Sequence, residues 1–181
     1  TVIAIEIDTL LAEQLPKTVE DRFPSGINRL HVVTSDALDV TELPMSESTK
    51  LEAPGESSSP DSTSIEDQLQ PTKVPQSTKT QQPTKVVANL PYNVSVPVLL
   101  HLLETFDSWT EGLVMVQLEV ADRLVAEAGT KVYGAPSVKL AWYADSEKVG
   151  TVPPKVFWPV PNVDSGLVKI SRRPAPETTA S

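Results

Sequence analysis

The sequence predicts an α/β fold, a largely parallel sheet covered by helices on both faces. Three observations carry this. Short β-branched runs alternate with stretches of helical spacing, the strands read as apolar on both faces, and acids and amides gather just past the strand ends. Thr1 to Asp8, "TVIAIEID", is a strand ending in acids, and Thr9 to Glu20 then sets Leu10, Leu11 and Leu15 at helical spacing until Pro16 disturbs it. Leu30 to Thr34 repeats the plan, with Asp36 and Asp39 beyond its carboxyl end. "KVVANLPYN" supplies a third strand, after which Ser95 as N-cap and Pro97 in the first turn open a helix through Leu99, Leu102, Leu103 and Phe106. Leu113 to Leu118 is a fourth strand, followed by a helix ending with Gly129 as C-cap. Ser137 to Ala144 reads as helix and "SEKVGTV" and "SGLVKISRR" as the last strands, free to pair antiparallel.

The 181 residues, 39% hydrophobic, suit one domain. With no cysteine, and with His31 and His101 isolated, neither a disulfide framework nor a zinc site is expected. The longest apolar runs are too short for a membrane span and no secretory leader opens the chain, so a cytoplasmic protein, a monomer without metal, is expected. A net charge of −9 argues against a surface that traps nucleic acid through phosphate attraction alone.

One segment stands apart. From Ser46 to Lys85, 24 of 40 residues are Ser, Thr, Pro or Gln with no aromatic, a composition that cannot bury a core. A hexamer repeats from Gln70, Gln76 and Gln82 as "QPTKVP", "QSTKTQ" and "QPTK". Residues 46–85 therefore read as a disordered insertion dividing the domain into parts 1–45 and 86–173, with a tail at 174–181. Lys73, Lys79 and Lys85 offer a tethered contact for RNA, but a solvated insertion is the better reading.

In an open α/β sheet, ligands bind beyond the carboxyl ends of the strands. Those ends carry Glu6, Asp36 and Asn89. A carboxylate there matches the cis diol of a ribose, which suits Glu6, and Asp36 is placed to accept from an exocyclic adenine amine. Taken singly, a solvated acid after a strand fits either residue equally well; the ordered series favours a nucleoside. Gln117 and Glu119 also stand at a strand end, where capping, or pairing of Glu119 with Arg123, accounts for them. Lys155, Lys169, Arg172 and Arg173 are candidates for RNA phosphates, or simply solvated charges.

"VVANLPYN", with "VMVQLEVADRLVAEAG", "YGAPSVKLAWYA" and "VPPKVFWPVPNVDSGLVKI" in that order, resembles the ribosomal RNA adenine N6,N6-dimethyltransferases of the small-subunit type. The resemblance covers nearly the whole chain outside the insertion. It implies a class I (Rossmann-like) methyltransferase sheet, S-adenosyl-L-methionine as methyl donor, and dimethylation of two adjacent adenosines near the 3′ end of 16S rRNA in a pre-30S particle. By the same resemblance Glu6 is the ribose-binding acid and Asp36, with Ala37, holds the adenine of the cofactor. Asn89 is shared by cofactor and target base, while Asn89, Leu90, Pro91 and Tyr92 form the catalytic turn. Tyr92 and Phe157 hold the target adenine.

The turn suits that chemistry. An exocyclic adenine nitrogen is a poor nucleophile because its lone pair is delocalised into the ring. Two acceptors on its N–H bonds, the Asn89 side chain and the Leu90 carbonyl, favour the pyramidal amine, and Pro91 fixes the turn without an N–H of its own. The resemblance also implies a first strand between those ending at Glu6 and Asn89, a glycine-rich loop and a C-terminal helical domain. This chain matches none of the three, so a gap in the sheet and weak activity of the chain alone are expected. The sister large-subunit methylases of the macrolide-resistance type share the motif, and a non-catalytic RNA-binding assembly factor on the same fold is the alternative from another class.

Overall fold

The computed structural model describes residues 1–44 and 82–174. Most of the expected insertion, and all but Pro174 of the expected tail, lie outside the described residues. Six strands and four α-helices follow in the order β1 (Val2–Glu6), α1 (Thr9–Arg22), β2 (Leu30–Thr34), β3 (Lys85–Asn89), α2 (Ser95–Thr105), β4 (Glu111–Gln117), α3 (Leu118–Leu124), α4 (Ala135–Tyr143), β5 (Ala144–Val152) and β6 (Ser165–Arg172). Short 3₁₀ turns at Pro24–Arg29 and Pro154–Val156 precede β2 and follow β5.

β1 and β2 pair in parallel as one sheet; β3, β4, β6 and β5 form a second, in that order. Within it β3 and β4 are parallel, while β4–β6 and β5–β6 are antiparallel. The antiparallel close and the break between β1 and β3 are as expected. The two sheets nonetheless share one core, because Ile3 and Ile5 of β1 pack against the cluster built on α2, β4 and β6. His101 on α2 adds a polar tie, with Nε2 3.0 Å from the Val40 carbonyl.

β3 and β4 are apolar on both faces as expected, but among the described residues only one face is covered. Val114 and Val116 of β4 and Val168 and Ile170 of β6 are fully buried under the helices. On the opposite face Val87 is 82% exposed, and its register partner Leu113 is exposed too. Period-2 alternation therefore governs β3 and β4 more than their composition suggests.

Several boundaries differ. Lys85, assigned to the insertion, is the first residue of β3 and pairs with Glu111 at 2.7 Å. Pro16 lies inside α1 without ending it, since a helix interior survives one missing N–H when its ends are held. Asp8 holds the first end, accepting from the Leu10 and Leu11 amides at 2.8 and 3.0 Å. Ala12 is the buried residue of this helix; Leu10 and Leu11 are exposed. Ser95 is not an N-cap. The turn closed by Val94 N–H on the Pro91 carbonyl already begins the winding, which puts Val94 at the cap and Ser95 inside the helix. α3 ends at Leu124 rather than near Gly129, and Gly129 occupies a left-handed turn with φ 91°. The early stop lets α4 fold back, where buried Ser137 donates to the Arg123 carbonyl at 2.5 Å.

Candidate functional site

β3 ends on Asn89 because Leu90 turns inward. Leu90 is buried, and its amide donates to the Met115 carbonyl at 3.0 Å, fixing the turn to the end of β4. Asn89 itself is exposed, on the same side of β3 as Val87. Among the described residues no partner engages the Asn89 side chain or the Leu90 carbonyl. The two acceptors singled out from the sequence therefore stand unspent at one place. Pro91 spends its carbonyl on Val94, as a turn residue does.

Tyr92 is half-buried, its hydroxyl 3.2 Å from Ser165 Oγ. Ser165 is 1% exposed and opens β6, opposite Gln117 of β4 and Val152 of β5. That contact locks the tyrosine to the sheet end and anchors one end of the Pro153–Asp164 connection, on which Phe157 sits half-buried. Ser165 escaped the sequence reading. Its only signal was a small hydroxyl residue at the first position of a strand behind a proline-rich turn.

The two acids occupy the neighbouring sheet end. Glu6 closes β1, its carbonyl accepting from Ser35 N–H at 3.1 Å and its Oε1 from Asp8 N–H at 2.9 Å. Asp36 follows β2, with Oδ1 accepting from Leu38 N–H at 2.9 Å in a local turn. In each carboxylate one oxygen is fixed by an adjacent amide. The other has no bonded donor among the described residues. Ala37 is half-buried against the core. Fixed half-buried carboxylates suit the two ends of a nucleoside, one the ribose diol and one an adenine amine.

Three of the remaining candidates, Glu119, Arg172 and Arg173, are engaged elsewhere. Glu119 pairs with Arg123 one turn on, as expected, at 2.5 Å. Arg172 is withdrawn as a phosphate ligand: its side chain is 16% exposed and donates to the carbonyls of Leu103, Phe106 and Trp109. Arg173 is engaged by Asp145 and the Ala141 carbonyl. Lys155 and Lys169 stay exposed. Lys73 and Lys79 lie outside the described residues. No helix among the described residues is long and apolar enough to cross a membrane, and none of their His, Asp and Glu side chains cluster as a metal site.

The family model of the ribosomal RNA adenine dimethylases matches residues 1–180. The chain belongs to this family. Among curated members, the ribosomal RNA small subunit methyltransferase A of Cutibacterium acnes is 53% identical over 175 residues, covering 97% of this chain and 47% of that protein. That of Thermobifida fusca is 51% identical over 180 residues, covering 99% and 50%. The chain thus spans about half the length of the curated relatives it matches. A dimethyladenosine transferase from Plasmodium falciparum superposes with a TM-score of 0.64 at 23% identity, covering 96% of this chain and 48% of that one. The 23S rRNA methyltransferase ErmE does so at 0.63 and 23%, covering 97% and 54%. These two likenesses establish the methyltransferase fold.

Proposed function

We propose that the protein carrying this chain transfers methyl groups from S-adenosyl-L-methionine to N6 of two adjacent adenosines near the 3′ end of small-subunit rRNA, during assembly of the small subunit in the cytoplasm. The observation that carries this reading is the turn after β3, which leaves Asn89 and the Leu90 carbonyl unspent beside a tyrosine locked to Ser165.

Glu6 would hold the ribose of the methyl donor and Asp36, with Ala37, its adenine; each carboxylate has one oxygen fixed and one open. The donor supplies a methyl already activated on a sulfonium. What the chain adds is orientation. Asn89 and the Leu90 carbonyl accept the two N–H bonds of the target amine and turn its lone pair toward that methyl, so no strong base is needed. Phe157 and Tyr92 offer faces to the target adenine, which cannot react inside a helix and must be splayed out of its stack. The chain by itself is expected to hold the donor weakly, because the strands bearing Glu6 and Asn89 are not joined by any backbone ladder. Calorimetry on the 181-residue chain showing micromolar donor affinity would refute that point.

The test is methyl transfer by the full-length protein to small-subunit particles and to protein-free large-subunit rRNA. Transfer to the first and not the second is expected, with Asn89→Ala reducing turnover by about 10²-fold or more while the fold is unchanged. Equal turnover in Asn89→Ala and wild type overturns the assignment, and transfer to the large-subunit RNA alone moves the protein to the other branch of the fold.

A further inference from the structure

The connection from β5 to β6 carries a side chain for which methyl transfer, as described above, has no use. Trp158 is 94% exposed, more than any other large apolar residue described. The other two tryptophans differ. Trp109 is fully buried with its indole N–H on the Leu102 carbonyl, and Trp142 is about half covered. An indole offers more apolar surface than any other side chain, and leaving it in water forgoes that burial, so packing does not explain Trp158.

Its location is specific. Both ends of the connection are tied to the sheet end that bears the Asn89 turn: on entry Val152 of β5 pairs with Ser165 of β6, and on exit Ser165 meets the Tyr92 hydroxyl while the Asp164 carbonyl accepts from Leu118 N–H at 2.9 Å. Phe157 is half-buried, whereas Trp158 beside it in sequence stands free of the protein. Val156 and Val160 extend the exposed apolar rim.

We propose that Trp158 is a stacking platform for an unpaired nucleotide next to the target adenosine; this rests on the reading of the site given above. Extruding a target base unstacks its neighbours in the same strand, and an exposed aromatic face recovers the lost stacking for any base. The charge balance favours such a contact. With a net charge of −9 the chain does not draw RNA by phosphate attraction alone, so uncharged contacts to bases gain weight beside the exposed Lys155.

The test uses full-length protein, small-subunit RNA and a short single-stranded RNA containing the adjacent adenosines. Trp158→Ala should raise KM for RNA and weaken oligonucleotide binding by roughly 5- to 150-fold, the range of one base–aromatic stack. Trp158→Phe should retain most of the affinity, and donor affinity and melting temperature should not move. Replacing one flanking nucleotide with an abasic residue should weaken binding to wild type and leave binding to Trp158→Ala nearly unchanged. If Trp158→Ala binds RNA within twofold of wild type while Asn89→Ala abolishes transfer, the platform is wrong and the reading of the site stands. Equal losses on every abasic substitution in both proteins also overturn it. Unchanged transfer in Asn89→Ala removes the reading itself, and the platform with it.

Discussion

Arg172 separates a structural from an RNA-binding role by experiment. Its guanidinium donates to the Leu103 carbonyl at 2.5 Å and the Phe106 carbonyl at 2.8 Å, at the carboxyl end of α2, and its Nε to the Trp109 carbonyl at 3.2 Å. The cation also lies 5.7 Å from the centre of the buried Trp109 ring. The nearby Asp107 carboxylate, 3.7 Å away, is 96% exposed and contributes almost nothing. One hydrogen bond from a charged donor is worth about 1.5–3 kcal/mol. The three carbonyls share a single group, so their contributions do not add in full; with the helix dipole and the cation–π contact, Arg172→Met should cost about 3 kcal/mol. For a chain of this length that lowers the melting temperature by about 6–12 °C. Arg172→Lys should fall between, since an ammonium cannot reproduce the fork. The assay is thermal denaturation, paired with the salt dependence of RNA binding by the full-length protein. A phosphate ligand would give the opposite pattern: an unchanged melting temperature and a salt slope reduced by about one. That pattern would refute the structural account.

Two further outcomes follow from the packing and the titration of single groups. A Cβ added at Gly166 would fall 2.5 Å from the Ala121 Cβ, where α3 crosses β6; Gly166→Ala should cost about 1–3 kcal/mol in denaturant unfolding, and adding Ala121→Gly should restore most of it. The Tyr143 phenol is raised above its ordinary value of 10.0, first by burial and then by its hydrogen bond to Glu104. The folded state thus keeps this proton longer than the unfolded chain, so the contribution is complete below the ordinary value and is lost as pH rises through the raised one. Wild type should lose stability above about pH 10 more steeply than Tyr143→Phe; parallel alkaline curves for the two would contradict this.

Much of this structure was legible in the chain because its signals are local. β2 occupies Leu30–Thr34 as read, and β6 ends one residue short of the run "SGLVKISRR". The Asn89–Tyr92 turn declares itself by residue type alone. Errors arose where a remote partner decides. β4 begins at Glu111, before Gly112, because β6 runs alongside it as far as Ser171 and offers a ladder that a glycine does not interrupt. α3 stops at Leu124 although "VAEAG" continues to favour helix, because α4 must return to meet the Arg123 carbonyl. Arg172 looked like a strand-end charge in a basic pair, and only the fold shows it turned onto the end of α2.

The site follows the same division. Its chemistry, an amide acceptor and an aromatic face after a strand, is written in consecutive residues, whereas the rigidity that makes the chemistry useful comes from residues remote in sequence. Met115 fixes Leu90 and leaves its carbonyl open; Ser165, 73 positions from Tyr92, fixes the ring. For the proposed methyl transfer, which depends on alignment rather than on a strong base, those anchors matter as much as the motif, because a displacement of about 1 Å in an aligned site can cost 10²-fold. The Glu6 and Asp36 carboxylates are likewise held by amides two residues away, but their distance from Asn89 is set by side-chain packing, of Ile3, Ile5, Val40 and Leu43 among others, and by the His101 bond to the Val40 carbonyl, not by a backbone ladder between β1 and β3. Packing of that kind tolerates small shifts that a backbone ladder would forbid. Under the function proposed above, the half of the site bearing Glu6 and Asp36 is therefore the less rigidly placed half, and cofactor affinity should respond more strongly than RNA affinity to whatever braces β1 against β3.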